Sequence, residues 1–225
     1  MKINDYYRRR LTENEVSEGL HRSFIGGMWD ELGKLQIDFV RAEGLQAGMN
    51  FLDVGCGPLR GGVRFIDFLD AGNYYGVDIN QSLLDAGYER ELSPALRAKT
   101  PRKNLLCDEH FGFSRFGRTF DYAVAQSVFS HLPLNHIRLC LIELGKCMRS
   151  GGKFYATFFE SPAGHPLDQP LVQQPGGVTT YADQDPYHYK LADFSWCIGE
   201  LPWQIHYVGE WNHPRAQKML RFTRK

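Results

Sequence analysis

The sequence predicts an α/β protein with a mostly parallel sheet and helices on both faces. Three observations carry this. A buried-strand pattern, Met49 to Val54, breaks into the glycine-rich turn Gly55–Gly62 and is followed by the apolar-periodic segment Val63 to Leu69. Strand and helix patterns then alternate to Phe159, which implies right-handed βαβ units. Short strands ending in acids, Asp78 and Asp108, place polar groups at one edge of such a sheet, where open α/β sheets bind ligands.

Taken in order, residues 1 to about 19 are polar and mixed in charge and read as a mobile arm or short helix. From Phe24 to about Glu43, Ile25, Met28, Trp29, Leu32, Leu35, Phe39 and Val40 recur at three- and four-residue steps, which predicts one helix stopped at Gly44. Residues 1–47 thus form an N-terminal arm and helix, either packed on the sheet or closing over its ligand edge, with Gly26-Gly27 as a hinge. The first strand is expected at about Asn50–Val54, with a helix to Asp70 closed by Ala71-Gly72. The second is Asn73–Asp78, and Asn80 can cap the helix after it, with Leu83, Leu84 and Tyr88 on one side. Ser93-Pro94 breaks or restarts that helix. Asn104–Cys107 is a short third strand, Glu109–Thr119 a loop and Phe120–Gln126 the fourth strand. Asn135 is expected to cap a helix carrying Ile137, Leu141, Leu144 and Met148, closed by Ser150-Gly151-Gly152, and Lys153–Phe159 is the fifth strand. Ser161 to about Asp185 reads as a long functional loop and Tyr187–Leu201 as a helix. Gln204–Trp211 and Gln217–Thr223 read as a closing hairpin. Residues 48–225 are read as a single domain, with 161–189 as its substrate loop.

Composition narrows the classes of partner. The 26 basic and 26 acidic residues balance, which disfavours nucleic acid or an anionic membrane as the target. No apolar run approaches the roughly 20 residues that span a bilayer, and the charged N-terminus is unlike a secretory signal. The 5 cysteines are widely spaced with no Cys-x-x-Cys pair, which reads as reduced thiols in a cytoplasmic protein. The His, Cys and acidic residues show no metal-ligand spacing, so no metal is expected.

The glycine loop offers backbone N–H groups to a ligand, and Asp78 can accept ribose hydroxyls. Both features suit NAD as well as other nucleosides. The third glycine, Gly61, comes one residue late for G-x-G-x-x-G, however. Asp53, beneath the loop, would repel a pyrophosphate and suit a cation. Asp108 can accept a proton from an adenine amino group.

Phe51-Leu52-Asp53-Val54-Gly55-Cys56-Gly57, Gly76-Val77-Asp78, Cys107-Asp108, Phe120-Asp121 with Ser127-Val128-Phe129-Ser130-His131-Leu132, and Leu144 to Phe154 come in order at characteristic spacings. In these the chain resembles the class I S-adenosylmethionine-dependent methyltransferases of small-molecule type, similar to bacterial sugar and natural-product enzymes. Leu59 departs from the small residue that many members carry. The resemblance implies a Rossmann-like sheet of seven strands in the order 3-2-1-4-5-7-6, strand 7 antiparallel. It implies S-adenosylmethionine as cofactor, with S-adenosylhomocysteine as product. Asp53, Gly55, Cys56 and Gly57 would face its methionine part, Asp78 the ribose, Asp108 the adenine, and Gln126 and Ser127 the sulfonium, with Ile79 and Glu109 also counted as cofactor-binding.

His131, after the fourth strand, and His213, in the Trp211–Arg215 turn, are the candidate bases. Glu160, Tyr181, His188, Trp211 and Arg215 are candidates for the acceptor pocket, as is His165. The expected function is O-methylation of a sugar or secondary metabolite by a monomer or homodimer. N-methylation of an amine or amino sugar, a non-catalytic cofactor-binding protein and a nicotinamide dehydrogenase are the alternatives. No Asn/Asp-Pro-Pro-Tyr/Phe tetrapeptide follows the fourth strand, unlike the enzymes that methylate nucleic-acid or glutamine amino groups.

Overall fold

The computed structural model describes residues 5–225, with the Asp5 and Tyr7 side chains left aside; the first residues of the expected arm lie outside it. The chain forms two compact units, Asp5–Glu109 and, from His110, the remainder.

The first unit opens with the short helices α1 (Asp5–Arg8), α2 (Glu13–Ser17) and α3 (Leu20–Phe24), and then α4 (Trp29–Ala42). The single helix expected from Phe24 is therefore two. Gly26, Gly27 and Met28 all have positive φ (87°, 64° and 49°), which no right-handed helix accommodates. The buried face of α4 is Leu32, Gly33, Gln36, Ile37 and Val40, displaced from the expected stripe so that Leu35 and Phe39 are only half-buried.

Strands β1 (Phe51–Val54), β2 (Tyr74–Asp78) and β3 (Leu105–Cys107) pair in parallel in the order β3-β2-β1, with Asp53 opposite Gly76 and Asp78 opposite Cys107. Helix α5 (Gly62–Phe68) connects β1 to β2, and Phe51 stacks on its Phe65 with ring centroids 4.1 Å apart. Between β2 and β3 lie α6 (Gln81–Ala86), a π-turn over Gly87–Glu91 and α7 (Pro94–Lys99). Asn80 caps α6 through the Ser82 N–H, as the sequence indicates, and Ser93-Pro94 restarts the helix, with Ser93 capping α7 and Pro94 in its first turn.

In the second unit β4 (Phe120–Ala125) leads to α8 (Leu134–Gly145). Its N-cap is Pro133 with no side-chain bond, which corrects the expectation for Asn135, already inside the helix. Helix α8 ends before Ser150. The Ser150–Gly152 stretch belongs instead to the long strand β5 (Met148–Glu160), where the pairing register with β4 shifts between Phe120 and Tyr122. The expected loop holds a small hairpin, β6 (Leu171–Gln173) with β7 (Val178–Thr180). The expected helix from Tyr187 begins only at Leu191, because β8 (His188–Tyr189) pairs in parallel with Phe159 and Glu160 of β5. Then come α9 (Leu191–Ile198), β9 (Trp203–Gly209) and β10 (Lys218–Arg224), the last antiparallel to both β5 and β9. The order β4-β5-β10-β9 is the 4-5-7-6 half of the expected sheet, as β3-β2-β1 is the other half.

The core of this unit is aromatic. Phe129, Phe154, Phe158, Phe194, Phe222 and Trp203 are all nearly inaccessible to solvent, and Phe158 meets Phe194 edge-on at 4.7 Å. All five cysteines are free thiols. Burial pushes Cys147 and Cys197 up to about 12, which keeps both protonated and inert near neutrality. Among the described residues no helix is long and apolar enough to cross a membrane.

Leu59, the departure noted in the glycine loop, is fully buried at φ 67°. Small neighbours admit it. A Cβ at Gly62 would lie 2.9 Å from the Leu59 Cβ, and one at Gly87 would lie 2.7 Å from the Pro58 carbonyl carbon and 2.9 Å from the Leu59 Cγ. Gly87→Ala therefore forces the π-turn off the loop, at roughly 1–3 kcal/mol, without changing backbone strain. Thermal unfolding should show a Tm lower by several degrees, whereas Gly117→Ala, where a Cβ meets nothing within 4 Å, should carry only the backbone strain of a Cβ at φ +60°. A Gly87→Ala variant as stable as the parent would contradict this packing.

Candidate functional site

The site in the first unit is built on Asp78, the last residue of β2. Its Oδ2 accepts the Gly57 N–H and its Oδ1 the Asn80 N–H, each at 2.8 Å. One carboxylate thus joins the glycine loop after β1 to the turn after β2. A carboxylate offers about four acceptor sites, so these two bonds do not exhaust it. Gly57 has φ 51°, and a Cβ there would approach only Ile25 at 3.7 Å and Asp78 at 4.0 Å. Gly55, at φ 70°, is exposed at the crest of the loop.

Asp53 lies buried beneath the loop and accepts the Tyr74 hydroxyl at 2.9 Å. Burial pushes its carboxyl up to about 7 against the opposing Tyr74 bond, and the neighbouring Asp78 adds to the rise. Burial pushes Asp78 up to about 6, opposed by the N–H groups of Asn80, Gly57 and Ile79. Two neighbouring buried acids whose charged forms are penalised by burial are a donor set that suits a cation. Cys56 is turned away from such a ligand. Its Sγ would be 2.8 Å from a Cβ at Gly76, so its side chain packs against β2 and only its backbone can face the loop's ligand. Asp108 donates its N–H to the Asp78 carbonyl at 3.0 Å, Ile79 is half-buried and Glu109 is exposed.

The N-terminal arm is fastened beside these residues. Asn80 Nδ2 donates to the carbonyls of Tyr6 and Arg9, each at 2.8 Å, and the Leu11 N–H donates to Ser82 Oγ at 3.0 Å. Arg60, buried in the loop, donates to the Gly27 carbonyl at 2.9 Å. Glu91 on the π-turn takes Arg22 through both oxygens, at 2.8 and 2.6 Å, and buried His21 at 2.6 Å. The spacing of apolar residues carries no signal for these fastenings, which join residues up to 74 positions apart.

In the second unit a buried polar chain runs across the ends of β4, β5 and β10. Gln126 Nε2 is 2.9 Å from Ser127 Oγ and 3.0 Å from His213 Nε2. Ser127 Oγ and Thr157 Oγ1 both donate to Gln217 Oε1, at 3.0 and 2.6 Å. His213 is only 5% exposed, and its Nδ1 accepts the Arg215 N–H at 3.1 Å. With Nδ1 accepting, the ring proton belongs to Nε2, so the buried His213, expected as a candidate base, braces the turn and faces the Gln126 amide. Trp211, expected at the substrate, is also buried; it stacks on His213 and donates Nε1–H to the Gln217 carbonyl at 2.9 Å. Arg215 packs against the β6–β7 turn, where a Cβ at Gly176 would lie 2.7 Å from its Cα.

His131 stands apart from that chain. Its Nδ1 is 2.5 Å from Asp185 Oδ1, a partner the sequence reading did not single out, and both side chains remain partly exposed. Tyr181 and Tyr187 form the bridge that closes the Asp185 turn. Glu160 accepts the Tyr207 hydroxyl at 2.6 Å. His188 is buried, with Nδ1 3.0 Å from Thr180 Oγ1 and its ring edge-on to His165. The candidate acceptor residues Glu160, Tyr181 and His188 thus lie together around β8 and the end of β5.

With this geometry in place, residues 52–154 match the family described as methyltransferase domain. Solved methyltransferases share the chain's fold. A magnesium protoporphyrin IX methyltransferase from Synechocystis with bound S-adenosylhomocysteine is 16% identical, with a TM-score of 0.65 over 95% of this chain and 97% of that one. A sugar N-methyltransferase from Streptoalloteichus is 14% identical, with a TM-score of 0.64 over 96% and 94%. An amino pentose methyltransferase from Micromonospora echinaspora with bound S-adenosylmethionine is 16% identical, with a TM-score of 0.61 over 96% and 100%.

The raised acids set a pH dependence. A carboxyl whose folded-state value lies above its unfolded one stabilises the fold fully only below the unfolded value, and that stability is lost as the pH rises through the folded value. The ligand-free protein should thus lose stability between about pH 4 and pH 7 on account of Asp53 and Asp78. Asp53→Asn, which keeps an acceptor for Tyr74, should match the parent near pH 4 and exceed its Tm above pH 7, at about 2–4 °C per kcal/mol. Parallel Tm curves for the two proteins from pH 4 to 8 would contradict the assignment.

Proposed function

We propose that this protein is an S-adenosylmethionine-dependent methyltransferase that methylates a hydroxyl of a small molecule, a sugar or secondary metabolite, in the cytoplasm. The observation that carries the reading is the Asp78 carboxylate, fixed by the Gly57 and Asn80 N–H groups at the head of a methyltransferase domain. The cofactor supplies an electrophilic methyl group on a positively charged sulfur, leaving S-adenosylhomocysteine. Asp78 accepts the ribose hydroxyls with its remaining lone pairs, Ile79 lies beside the ribose, and Asp108 and Glu109 take the adenine side. The backbone of Gly55–Gly57 and the carboxyl of Asp53 face the charged methionine end, and their donor set fits it.

In the second unit Gln126 and Ser127, held by Thr157, Gln217 and His213, are the residues the resemblance assigns to the sulfonium end of the cofactor. His131 is the base for the acceptor, and Glu160, Tyr181 and His188 with the β6–β7 hairpin shape its pocket. Methyl transfer to a hydroxyl needs positioning, exclusion of water and removal of one proton.

N-methylation is the second reading, because two of the similar structures are described as acting on amino sugars or as sugar N-methyltransferases. Release of S-adenosylhomocysteine separates the two when matched methyl glycosides, one carrying hydroxyls and one an amine at the same carbon, are compared. Turnover confined to the amino glycoside would overturn the O-methylation reading. Calorimetry tests the cofactor assignment: S-adenosylhomocysteine should bind, and Asp78→Ala should weaken it by about 1.5–3 kcal/mol, roughly 10- to 150-fold. Unchanged affinity would remove Asp78 from the ribose.

A further inference from the structure

We propose that Asp185 is a positioning residue that sets the tautomer of His131, making its Nε2 the proton acceptor for a hydroxyl group. This rests on the reading that the protein transfers methyl groups to a small molecule. The chain leaving β7 folds into a tight turn in which the Tyr181 N–H donates to the Pro186 carbonyl and the His188 N–H to the Tyr181 carbonyl, each at 2.9 Å. The Tyr187 N–H donates to the Ser130 carbonyl at 2.7 Å, and the Tyr189 hydroxyl to the Leu132 carbonyl at 2.6 Å. These bonds lay the turn along the loop that follows β4 and bring Asp185 Oδ1 to 2.5 Å from His131 Nδ1. They hold the turn in place without the Asp185 carboxylate, so that group is available for a chemical role.

An ionised carboxylate only accepts hydrogen bonds, so the Nδ1 of His131 carries the ring proton and the basic lone pair belongs to Nε2. A neutral imidazole in water favours the opposite tautomer; Asp185 reverses that preference and steadies the imidazolium once a second proton arrives. Such an arrangement serves a hydroxyl acceptor more than an amine. A deprotonated amine attacks with its own lone pair, whereas a hydroxyl must shed its proton as its oxygen becomes methylated. In the step, the acceptor oxygen bonds to the methyl carbon and the sulfur–carbon bond breaks with its electron pair left on sulfur. The hydroxyl proton passes to His131 Nε2, and from there to solvent.

Long-range ¹⁵N–¹H NMR of protein saturated with S-adenosylhomocysteine tests this. In the parent, His131 should read as protonated at Nδ1 and bare at Nε2. Asp185→Ala should shift the proton to Nε2, and Asp185→Asn, whose amide oxygen still accepts, should restore the parent tautomer. With the fastest methyl glycoside from the paired panel, Asp185→Ala should lower kcat at least tenfold while affinity for S-adenosylhomocysteine stays within twofold, and Asp185→Asn should fall between. An Nε2-protonated ring in the parent, or parental kcat in Asp185→Ala, would overturn the assignment of Asp185 alone. Failure of S-adenosylhomocysteine to bind at all would overturn the methyltransferase reading beneath it.

Discussion

The carboxylate of Asp78 is shared between two backbone N–H groups, those of Gly57 and Asn80, and the first unit is arranged around that sharing. The Gly57 bond fixes the glycine loop against the end of β2, and the Asn80 bond fixes the turn from which α6 starts. Asn80 in turn spends its amide N–H groups on the carbonyls of Tyr6 and Arg9. One ionisable group therefore reaches the loop, the following helix and the N-terminal arm. The cost of holding it and Asp53 in a dry setting appears as two carboxyls pushed up to about 6 and about 7. A cationic ligand would offset that cost, because it favours the charged form of each acid.

The second unit solves a different problem. Its apolar load is carried by aromatic rings between the sheet and α9, which leaves the ends of β4, β5 and β10 free to carry polar groups. Those groups separate into two sets. Gln126, Ser127, Thr157, Gln217 and His213 bond mainly to one another and are rigid for that reason. His131 bonds instead to Asp185, on a turn supplied by the segment between β5 and α9, and both remain partly exposed. Polar groups committed to each other support a site, and those left half-open are the ones that can exchange a proton.

Much of this was legible in the sequence, and the limits follow physical lines. The parallel strands, the acids at their ends and the terminal hairpin were readable because strand period and glycine placement are local signals. So were the Asn80 cap and the helix restart at Ser93-Pro94. The break at Gly26–Met28 was missed because the apolar three- and four-residue spacing continues across it, while the backbone turns left-handed. The β6–β7 hairpin was missed because the Pro, Gly and Gln content of 161–185 hides two strands of three residues each. Sequence places His213 at the right edge for a candidate base but is silent on its burial and on the Arg215 N–H. Asp185 went unnoticed because it is 54 residues from His131 and carries no motif of its own.

The central claim is that Asp78, already holding the loop and the turn, also reads the ribose of a sulfonium cofactor. A crystal structure of the protein with S-adenosylhomocysteine tests it most directly. Ribose hydroxyls should lie within hydrogen-bond distance of the Asp78 carboxylate, with the Gly57 and Asn80 N–H bonds retained. A cofactor bound with its ribose away from Asp78, or an Asp78 that has released Gly57 to reach it, would contradict the account.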